Sequence, residues 1–245
     1  MKAFKYLLII ALFLPLLTSA QTPPASAKIR FLFLDESNGS YSVKIGADHI
    51  ELGSKPYVFS RPFEFPVGSR LELHKRLPDP KTGETVRTRV ANLTVGASPT
   101  HALAIVSPSA TAAPGATPDY RVNLYDVSPE KTPDRSIRIL NLSPSPMAAR
   151  FGTDQLEVSP GGERIVAPTV DKRSRIRVYV AAQAAGEWNM IFNSFLSLQE
   201  KTRMTGIVVY SPSGMRHTYT ENELKTLGPP QPGFFWLYFT EQADS

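Results

Sequence analysis

The chain has 245 residues, of which 42% are hydrophobic and 20% are charged, so it can bury a core and does not belong to the disordered class. It contains no Cys, which excludes disulfide bonds, thiolate zinc sites and Cys nucleophiles. The 22 Pro residues disfavour a helical bundle, because a Pro inside a helix removes a hydrogen bond and clashes with the preceding turn. The formal net charge of +5 is too small to indicate a nucleic-acid-binding protein.

The N-terminal 20 residues have the pattern of a secretory signal peptide. Two lysines are followed by an apolar stretch at 6–17 and by small residues that end at Ala20, after which cleavage is expected. The alternative is a membrane anchor, but Pro15 interrupts the stretch, which is shorter than the roughly 20 residues that cross a bilayer. We therefore expect a periplasmic or extracellular protein with no transmembrane segment in the mature chain.

The chain repeats itself at a spacing of about a hundred residues. Four short patterns recur in the same order in the two copies, and this period is typical of tandem domains rather than of a solenoid. We predict a first domain at 28–127, a linker at 128–135 and a second domain at 136–245. The matched segments are 28–34, 44–52, 70–73 and 104–108 in the first copy and 136–142, 150–158, 175–178 and 208–212 in the second.

Both copies have the hydrophobic alternation of β-strands. Apolar and polar side chains alternate at 41–45, 70–74 and 175–180, which predicts strands with one buried face. Gly46 and Gly152 predict tight hairpin turns, because Gly adopts a positive φ without strain. Short strands separated by turns predict an all-β protein of two tandem antiparallel, immunoglobulin-like β-sandwich domains, with about seven strands in each.

Two segments near the C-terminus need a separate interpretation. Residues 187–200 fit both helical and strand periodicity, and their alignment with 88–95 favours a strand. A capping box at 220–223 and the Gly228 stop signal predict a short helix at 221–227. The aromatic run that follows predicts a C-terminal strand.

The beginning of the second copy, at 137–152, resembles the opening of a family of bacterial exported immunoglobulin-like domains of unknown function. In both, an apolar-Arg-apolar strand enters an Asn-x-Ser-Pro turn, here Asn141 to Pro144, and the next strand precedes a tight turn. The resemblance implies a sandwich fold and an envelope or extracellular setting. It brings no catalytic residues, because the family has no established activity.

Three arginines form the first candidate binding site. Arg173, Arg175 and Arg177 occupy alternate positions, so on a strand their side chains would project from one face. Guanidinium groups match the oxygens of sulfated or phosphorylated glycans. The alternative is a solvated face that protects an edge strand from mispairing.

The aromatic run at 233–239 forms the second candidate site. It can be a closing strand that packs on the second core, because an exposed run of this kind would invite aggregation. It can also be a strand that docks on the sheet edge of a partner. The residues that would contact a partner are Phe235, Trp236 and Tyr238.

The sequence predicts a noncatalytic binding, adhesion or scaffold protein of the bacterial cell envelope, with no cofactor and no metal. Its partner would be another envelope protein or a surface glycan, and exposure of Tyr179, Trp188 or Tyr219 on one face would favour the glycan, because aromatic surfaces stack on sugar rings. The alternative is an envelope hydrolase with acid and base carboxylates between the two domains. The chain lacks the Gly-x-Ser-x-Gly and His-Glu-x-x-His motifs of common hydrolases.

Overall fold

The computed structural model describes residues 25–35, 39–53, 55–79, 82–109, 120–212, 214 and 231–242. Every regular element in this part of the chain is a β-strand, which confirms the all-β prediction. The strands are β1 Ser26–Phe33, β2 Tyr41–Ile45, β3 Asp48–Gly53, β4 Phe63–Pro66, β5 Arg70–Pro78, β6 Thr85–Thr94, β7 His101–Pro108, β8 Tyr120–Asp126, β9 Ile137–Asn141, β10 Met147–Phe151, β11 Asp154–Val158, β12 Glu163–Val166, β13 Arg175–Ala184, β14 Glu187–Ser197, β15 Thr202–Ser211 and β16 Gly233–Gln242.

The sixteen strands form four sheets of four strands, and the two copies have the same topology. In the first copy the sheet orders are β4-β1-β7-β8 and β3-β2-β5-β6; in the second they are β12-β9-β15-β16 and β11-β10-β13-β14. Each strand of the first copy has its counterpart eight strands later, and the segments that match in sequence lie in counterpart strands. Each pair of sheets is sandwich-like, and we use "first copy" for β1–β8 and "second copy" for β9–β16.

The topology corrects two details of the predicted sandwiches. Each copy has eight strands rather than about seven, because the short strands β4 and β12 extend one sheet. The sheets are also not wholly antiparallel, since β1 pairs with β7 and β9 with β15 in parallel. No hairpin joins these strands, so the antiparallel geometry of a tight turn does not apply to them. The strand order differs from the ABED and CFG sheets of a constant-type immunoglobulin domain.

The turn and strand predictions that fall in the described residues have clear outcomes. Gly46 joins β2 to β3 with a φ of 58°, and Gly152 joins β10 to β11 with a φ of 62°, as predicted for both hairpins. The ambiguous segment after residue 186 is strand β14, which pairs with β13 as β6 pairs with β5. The predicted signal peptide at 1–20 and the predicted helix at 221–227 lie outside the described residues. Within the described residues no helix has the length and apolar character to cross a bilayer.

Each copy encloses its own hydrophobic core between its two sheets. The alternating side chains that the sequence assigns to the dry faces lie in these cores, for example Leu71 and Leu73 in the first and Ile176 and Val178 in the second. Aromatic rings fill much of the first core, where Phe31 stacks beside Phe33 and meets the edge of Phe65. The two cores do not share a residue.

A third apolar layer joins the copies. The sheet β4-β1-β7-β8 turns its second face toward the same face of the sheet β12-β9-β15-β16, so the strands in the middle of the molecule are covered on both sides. We call this cluster the inter-copy layer. Its buried members are Leu32, Tyr57, Leu103, Ile105, Val127, Leu140, Ile207, Val209 and Phe239. The layer explains why apolar residues follow one another directly at 31–33 of β1 and at 139–140 of β9, because strand segments that are buried on both faces do not alternate.

The inter-copy layer gives the first testable prediction. Leu103 is fully buried in it, and replacing Leu103 with Ala should lower the free energy of unfolding by about 2–5 kcal/mol, because the cavity cannot collapse between two rigid sheets. Urea denaturation measures this loss. The control is Leu124→Ala on the exposed side of β8, which should change stability by about 0.5 kcal/mol or less. Equal stabilities of the two variants would contradict a packed layer between the copies.

The segment between the two copies is folded onto them. The backbone N–H groups of Lys131 and Thr132 donate to the carbonyl of Ser128, at 3.1 and 2.8 Å, and that of Arg135 donates to the carbonyl of Thr202 at 2.8 Å. Thr132 is fully buried. The residues predicted as a linker therefore contain hydrogen-bonded turns that contact the second copy.

A buried polar cluster lies at one end of the first core. Lys75 has no exposed surface and forms an ion pair with Asp35, which is also buried. The hydroxyl of Tyr41 donates to the same Asp35 oxygen at 2.6 Å, and the hydroxyl of Tyr120 donates to it as well. Burial, together with the hydrogen bond to Asp35, raises the pKa of Tyr41 far above its ordinary value. A charge pair of this kind tolerates burial only because its hydrogen bonds are satisfied.

Candidate functional site

The outer sheet of the second copy presents an open face to solvent. Strand register places Arg177 beside Phe195, Tyr179 beside Asn193 and Gln183 beside Trp188 on β13 and β14. On the other side of β13, Tyr179 lies beside Arg150 of β10. Their strand neighbours Ile176, Val178 and Val180 point the opposite way, into the core. We call the outward set the Arg–aromatic face; it comprises Arg150, Arg175, Arg177, Tyr179, Trp188, Met190 and Phe195.

Large apolar side chains on this face remain in contact with solvent. The exposed fraction is 46% for Trp188, 58% for Met190 and 52% for Phe195. Scattered apolar residues are ordinary on a protein surface, but several on one sheet face form a surface that can bind a ligand. Of the aromatic residues whose exposure would favour a glycan, Trp188 is exposed and Tyr179 is half-buried on the same face. Tyr219 lies outside the described residues.

The arginines of the face stack on its aromatic rings. The guanidinium of Arg150 lies 4.3 Å from the centre of the Tyr179 ring, and that of Arg177 lies 5.2 Å from the same ring. Arg177 also lies 4.8 Å from the Phe195 ring and donates to Asn193, while Arg175 lies 5.4 Å from the Phe195 ring. Cation–π contacts of this kind help to fix the positions of the guanidinium groups on the face.

A shallow depression lies beside Tyr179, on the part of the Arg–aromatic face that β10 and β13 form. Its volume is about 300 Å³, and small side chains form its floor. Arg150, Tyr179 and Met190 form its walls, so an apolar floor is bordered by one cation and one phenol. The floor and rim also include Ala148, Ala149, Gln155 and Ala181.

The three arginines predicted as one row do not form one row. Arg175 and Arg177 lie on β13 and share the Arg–aromatic face, but Arg173 precedes the strand. Asp171 accepts hydrogen bonds from the backbone N–H groups of Arg173 and Arg175, at 2.8 Å each, and pairs with the Arg175 side chain. These bonds, that from the Arg175 backbone first, lower the pKa of Asp171. The Asp171 turn thus removes Arg173 from the alternation that the sequence suggested.

The aromatic residues predicted to contact a partner lie in three different environments. Trp236 is buried in the second core, between Phe151 and Phe192. Phe235 faces the opposite way and packs against the inter-copy layer. Tyr238 is 43% exposed. Strand β16 pairs with β15 along its whole length, from Gly233 to Gln242. Trp236 and Phe235 therefore pack on opposite faces of a closing strand, whereas Tyr238 remains exposed, and the three side chains do not form one continuous surface.

The corresponding face of the first copy has different chemistry. There the outward side chains pair with one another as opposite charges: Arg87 lies 2.7 Å and Arg76 3.1 Å from Glu51, and Lys44 lies 4.0 Å from Glu72. None of the exposed Trp, Phe or Met residues lies there among the described residues. The exposed aromatic residues are therefore a property of the second copy, not of the shared fold.

Sequence reasoning missed Arg150, Met190 and Phe195 as members of the face. The sequence did contain a signal for Arg150. It alternates along a strand with the buried Ala149 and Phe151, so its side chain points away from the core. No group of three or more His, Cys, Asp or Glu side chains comes together as a metal site within the described ranges.

Comparisons with known proteins add little to this description. No protein-family model matches the chain, and no curated protein is significantly similar to it. Among solved structures, the Bacillus anthracis TIE protein is similar at 9% sequence identity and a TM-score of 0.20. That match covers 76% of this chain but 33% of the other, so this chain spans about a third of its length. A likeness at this level supports no argument about the function or the fold of this chain.

Proposed function

We propose that this is a noncatalytic binding, adhesion or scaffold protein of the bacterial cell envelope, exported by its N-terminal signal, and that it binds a glycan on the Arg–aromatic face. The observation that carries the proposal is the exposure of Trp188, Met190 and Phe195 on the same open sheet face as Tyr179. Aromatic rings on a flat, rigid sheet can stack on the apolar faces of sugar rings. The ligand class is therefore an envelope polysaccharide.

The arginines of the Arg–aromatic face favour a glycan that carries negative charge. Arg150 and Arg177 are held in place by the Tyr179 ring, and no carboxylate pairs with either of them among the contacts of the described residues. A preordered guanidinium fork binds a carboxylate or phosphate with little further loss of entropy. We therefore expect uronic-acid or phosphorylated polysaccharides to bind more tightly than neutral ones, and the preference to weaken as salt is added.

The proposal includes the organisation of the chain. The two copies are tandem β-sandwich domains, at 28–127 and 136–245, with the two-sheet architecture of immunoglobulin-like domains but a strand order that differs from that of the constant-type domain. Separate cores in the two copies support this division. Sandwich domains of different topology are common on cell surfaces, where they present faces and loops for binding.

The test is binding of the mature protein to an array of bacterial envelope polysaccharides. Trp188→Ala and Phe195→Ala should each weaken binding by about tenfold or more, because truncating a central aromatic contact removes most of its binding energy. The matched control is Tyr210→Ala, which removes a 40% exposed aromatic side chain from β15, outside the face. Absence of binding to every polysaccharide, or equal binding of Trp188→Ala and the unchanged protein, would overturn the proposal.

Two alternative functions receive less support from the geometry. A hydrolase site between the two copies would need one carboxylate as the acid and another as the base. A cleft does lie between the copies, but Glu241 is the one carboxylate among the described residues that line it. It is paired with Arg30 at 3.8 Å and Arg203 at 3.4 Å. Strand β16 is the last strand of its sheet, so a partner strand could pair only with its outer edge. The aromatic side chains Phe235 and Trp236 would not contribute to such docking, because they already pack within the molecule.

A further inference from the structure

The depression on the Arg–aromatic face is formed by two alanines that lie beside larger side chains. Ala148 of β10 and Ala181 of β13 are cross-strand neighbours, and Met190 of β14 follows Ala181 in the same row. The next outward row contains Arg150 of β10 beside Tyr179 of β13. The alanine row is therefore the floor of the depression, and the Arg150–Tyr179 pair is a wall along one side of it.

Arg150 brings a cation with available donors to this wall. Its side chain is exposed, since it alternates along β10 with the buried Ala149 and Phe151. The guanidinium lies over the Tyr179 ring, 4.3 Å from its centre, and forms no ion pair within the described part of the chain. A guanidinium uses its face in such a contact, whereas its N–H groups point outward in its plane. Arg150 can therefore donate two parallel hydrogen bonds to an acidic group.

The other two arginines of the face already have polar partners. Arg177 donates to Asn193, and Arg175 forms an ion pair with Asp171 at 3.1 Å. A ligand anion would have to compete with these contacts, whereas it would reach Arg150 without displacing a side-chain acceptor. We therefore expect Arg150 to be the residue that binds the acidic group of a glycan.

A carboxylate lies at the β11 end of the floor. Glu157 is the cross-strand neighbour of Ala148 in the alanine row. It is exposed and alternates with the half-buried Leu156 and the buried Val158, so its side chain points away from the core. Glu157 has no ion pair and no hydrogen bond among the described residues. A carboxylate accepts hydrogen bonds from hydroxyl groups but repels a second negative charge.

One cation and one anion beside the floor match a sugar that carries both a carboxylate and hydroxyl groups. A uronic acid has a single negative charge, so its carboxylate can bind Arg150 while hydroxyl groups of the same ring donate to Glu157. A phosphate monoester carries about −1.5 to −2 at pH 7, and Glu157 repels the additional charge. A neutral sugar leaves Arg150 without an anion.

We propose that the depression is a subsite for a uronic-acid unit, in which Arg150 binds the carboxylate and Glu157 disfavours a phosphate. The inference rests on the glycan-binding function proposed above and reduces its acidic ligands to one class. The sugar ring lies on the alanine floor, and Gln155, the cross-strand neighbour of Arg150, can donate or accept a further hydrogen bond.

NMR titration of the mature protein with three matched sugars tests the inference. Glucose, glucuronate and glucose 6-phosphate differ in one substituent of the same ring, and the corresponding galactose series supplies the other ring configuration. In at least one series the uronate should bind about threefold or more tightly than both the neutral sugar and the phosphate. Arg150→Gln should weaken uronate binding by about tenfold and change the affinity for the neutral sugar by about twofold or less.

A second variant examines the role of Glu157 in the choice between the two acids. Glu157→Gln keeps a hydrogen-bond acceptor but removes the negative charge. The ratio of uronate to phosphate affinity should fall by about threefold or more, because the phosphate gains more from the loss of repulsion. A residue with a structural role alone would change both affinities by the same factor.

A third variant locates the binding in the depression. Ala181→Leu fills the floor without removing a polar group and should weaken uronate binding by about tenfold. The control is Ser197→Leu, which adds the same side chain to the same face beside Arg175, outside the depression, and should bind as the unchanged protein does. Equal affinities of Ala181→Leu and Ser197→Leu would overturn the subsite.

The outcomes separate this inference from the proposed function. If envelope polysaccharides bind in a way that depends on Trp188, but no uronate is preferred or Arg150→Gln keeps the full preference, the subsite is overturned and glycan binding on the face stands. If no polysaccharide binds, both are overturned. A uronate preference that disappears in Arg150→Gln supports both.

Discussion

Replacing Lys75 with Met should lower the free energy of unfolding by about 3–5 kcal/mol. The substitution keeps the length and apolar stem of the side chain, but it leaves the buried Asp35 carboxylate without its cation. The hydroxyls of Tyr41 and Tyr120 still donate to Asp35, yet two neutral donors do not replace an ammonium group in the interior of a protein. Urea or guanidinium denaturation at neutral pH measures the loss.

The control for this prediction is an exposed lysine on the same sheet. Lys44 is 39% exposed and lies 4.0 Å from Glu72, so Lys44→Met should cost about 1 kcal/mol or less. The comparison separates the loss of a buried charge from the loss of a positive charge in general. Similar stabilities of the two variants would contradict the buried ion pair.

Replacing Gly206 with Ala should destabilise the second copy by about 1–3 kcal/mol or more, through overpacking. A Cβ atom at this position would lie 1.8 Å from the Trp236 ring, which rests directly on the Gly206 backbone across the β15–β16 pair. The indole would have to leave its place between Phe151 and Phe192, and the core would lose its largest side chain. Thermal and urea denaturation report this change.

A double variant shows whether crowding of the Trp236 indole causes the loss of stability. In the Gly206→Ala and Trp236→Phe double variant the smaller ring makes room for the methyl group, so the total loss should be smaller than the sum of the two single losses. The control is Gly233→Ala on the adjacent strand, where the nearest atom would lie 3.8 Å away. It should change stability by about 0.5 kcal/mol or less. Additive losses in the double variant would exclude direct crowding of Trp236.

The strands and their repetition were predictable because they depend on local patterns. Alternation at 41–45 and 70–74 distinguished the inner from the outer face, and Gly46 and Gly152 marked the turns of equivalent hairpins. The same alternation extends to Lys75, which lies on the same face of β5 as Leu71 and Leu73 and is buried with them. A lysine at a core position was thus a readable signal of a buried charge cluster.

The packing of the copies on each other could not be predicted from local patterns. Consecutive apolar residues at 31–33 indicate that β1 is covered on both faces, but the sequence does not say which surface covers the second face. The aromatic run at 233–239 likewise does not show which surfaces cover its two faces. Trp236 faces the second core, whereas Phe235 and Phe239 face the inter-copy layer. The Arg–aromatic face required strand register, since residues of β10, β13 and β14 meet there only after pairing.

The inter-copy layer has a consequence for the origin of the molecule. Equivalent residues of the two copies occupy it: Leu32 and Leu140, Leu103 and Ile207, and Ile105 and Val209. A contact in which both partners use the same patch is isologous, the type found in twofold-symmetric homodimers, and it closes on itself instead of extending into a fibre. The repeat therefore uses the same patch twice, once from each copy, as the subunits of a twofold-symmetric homodimer do.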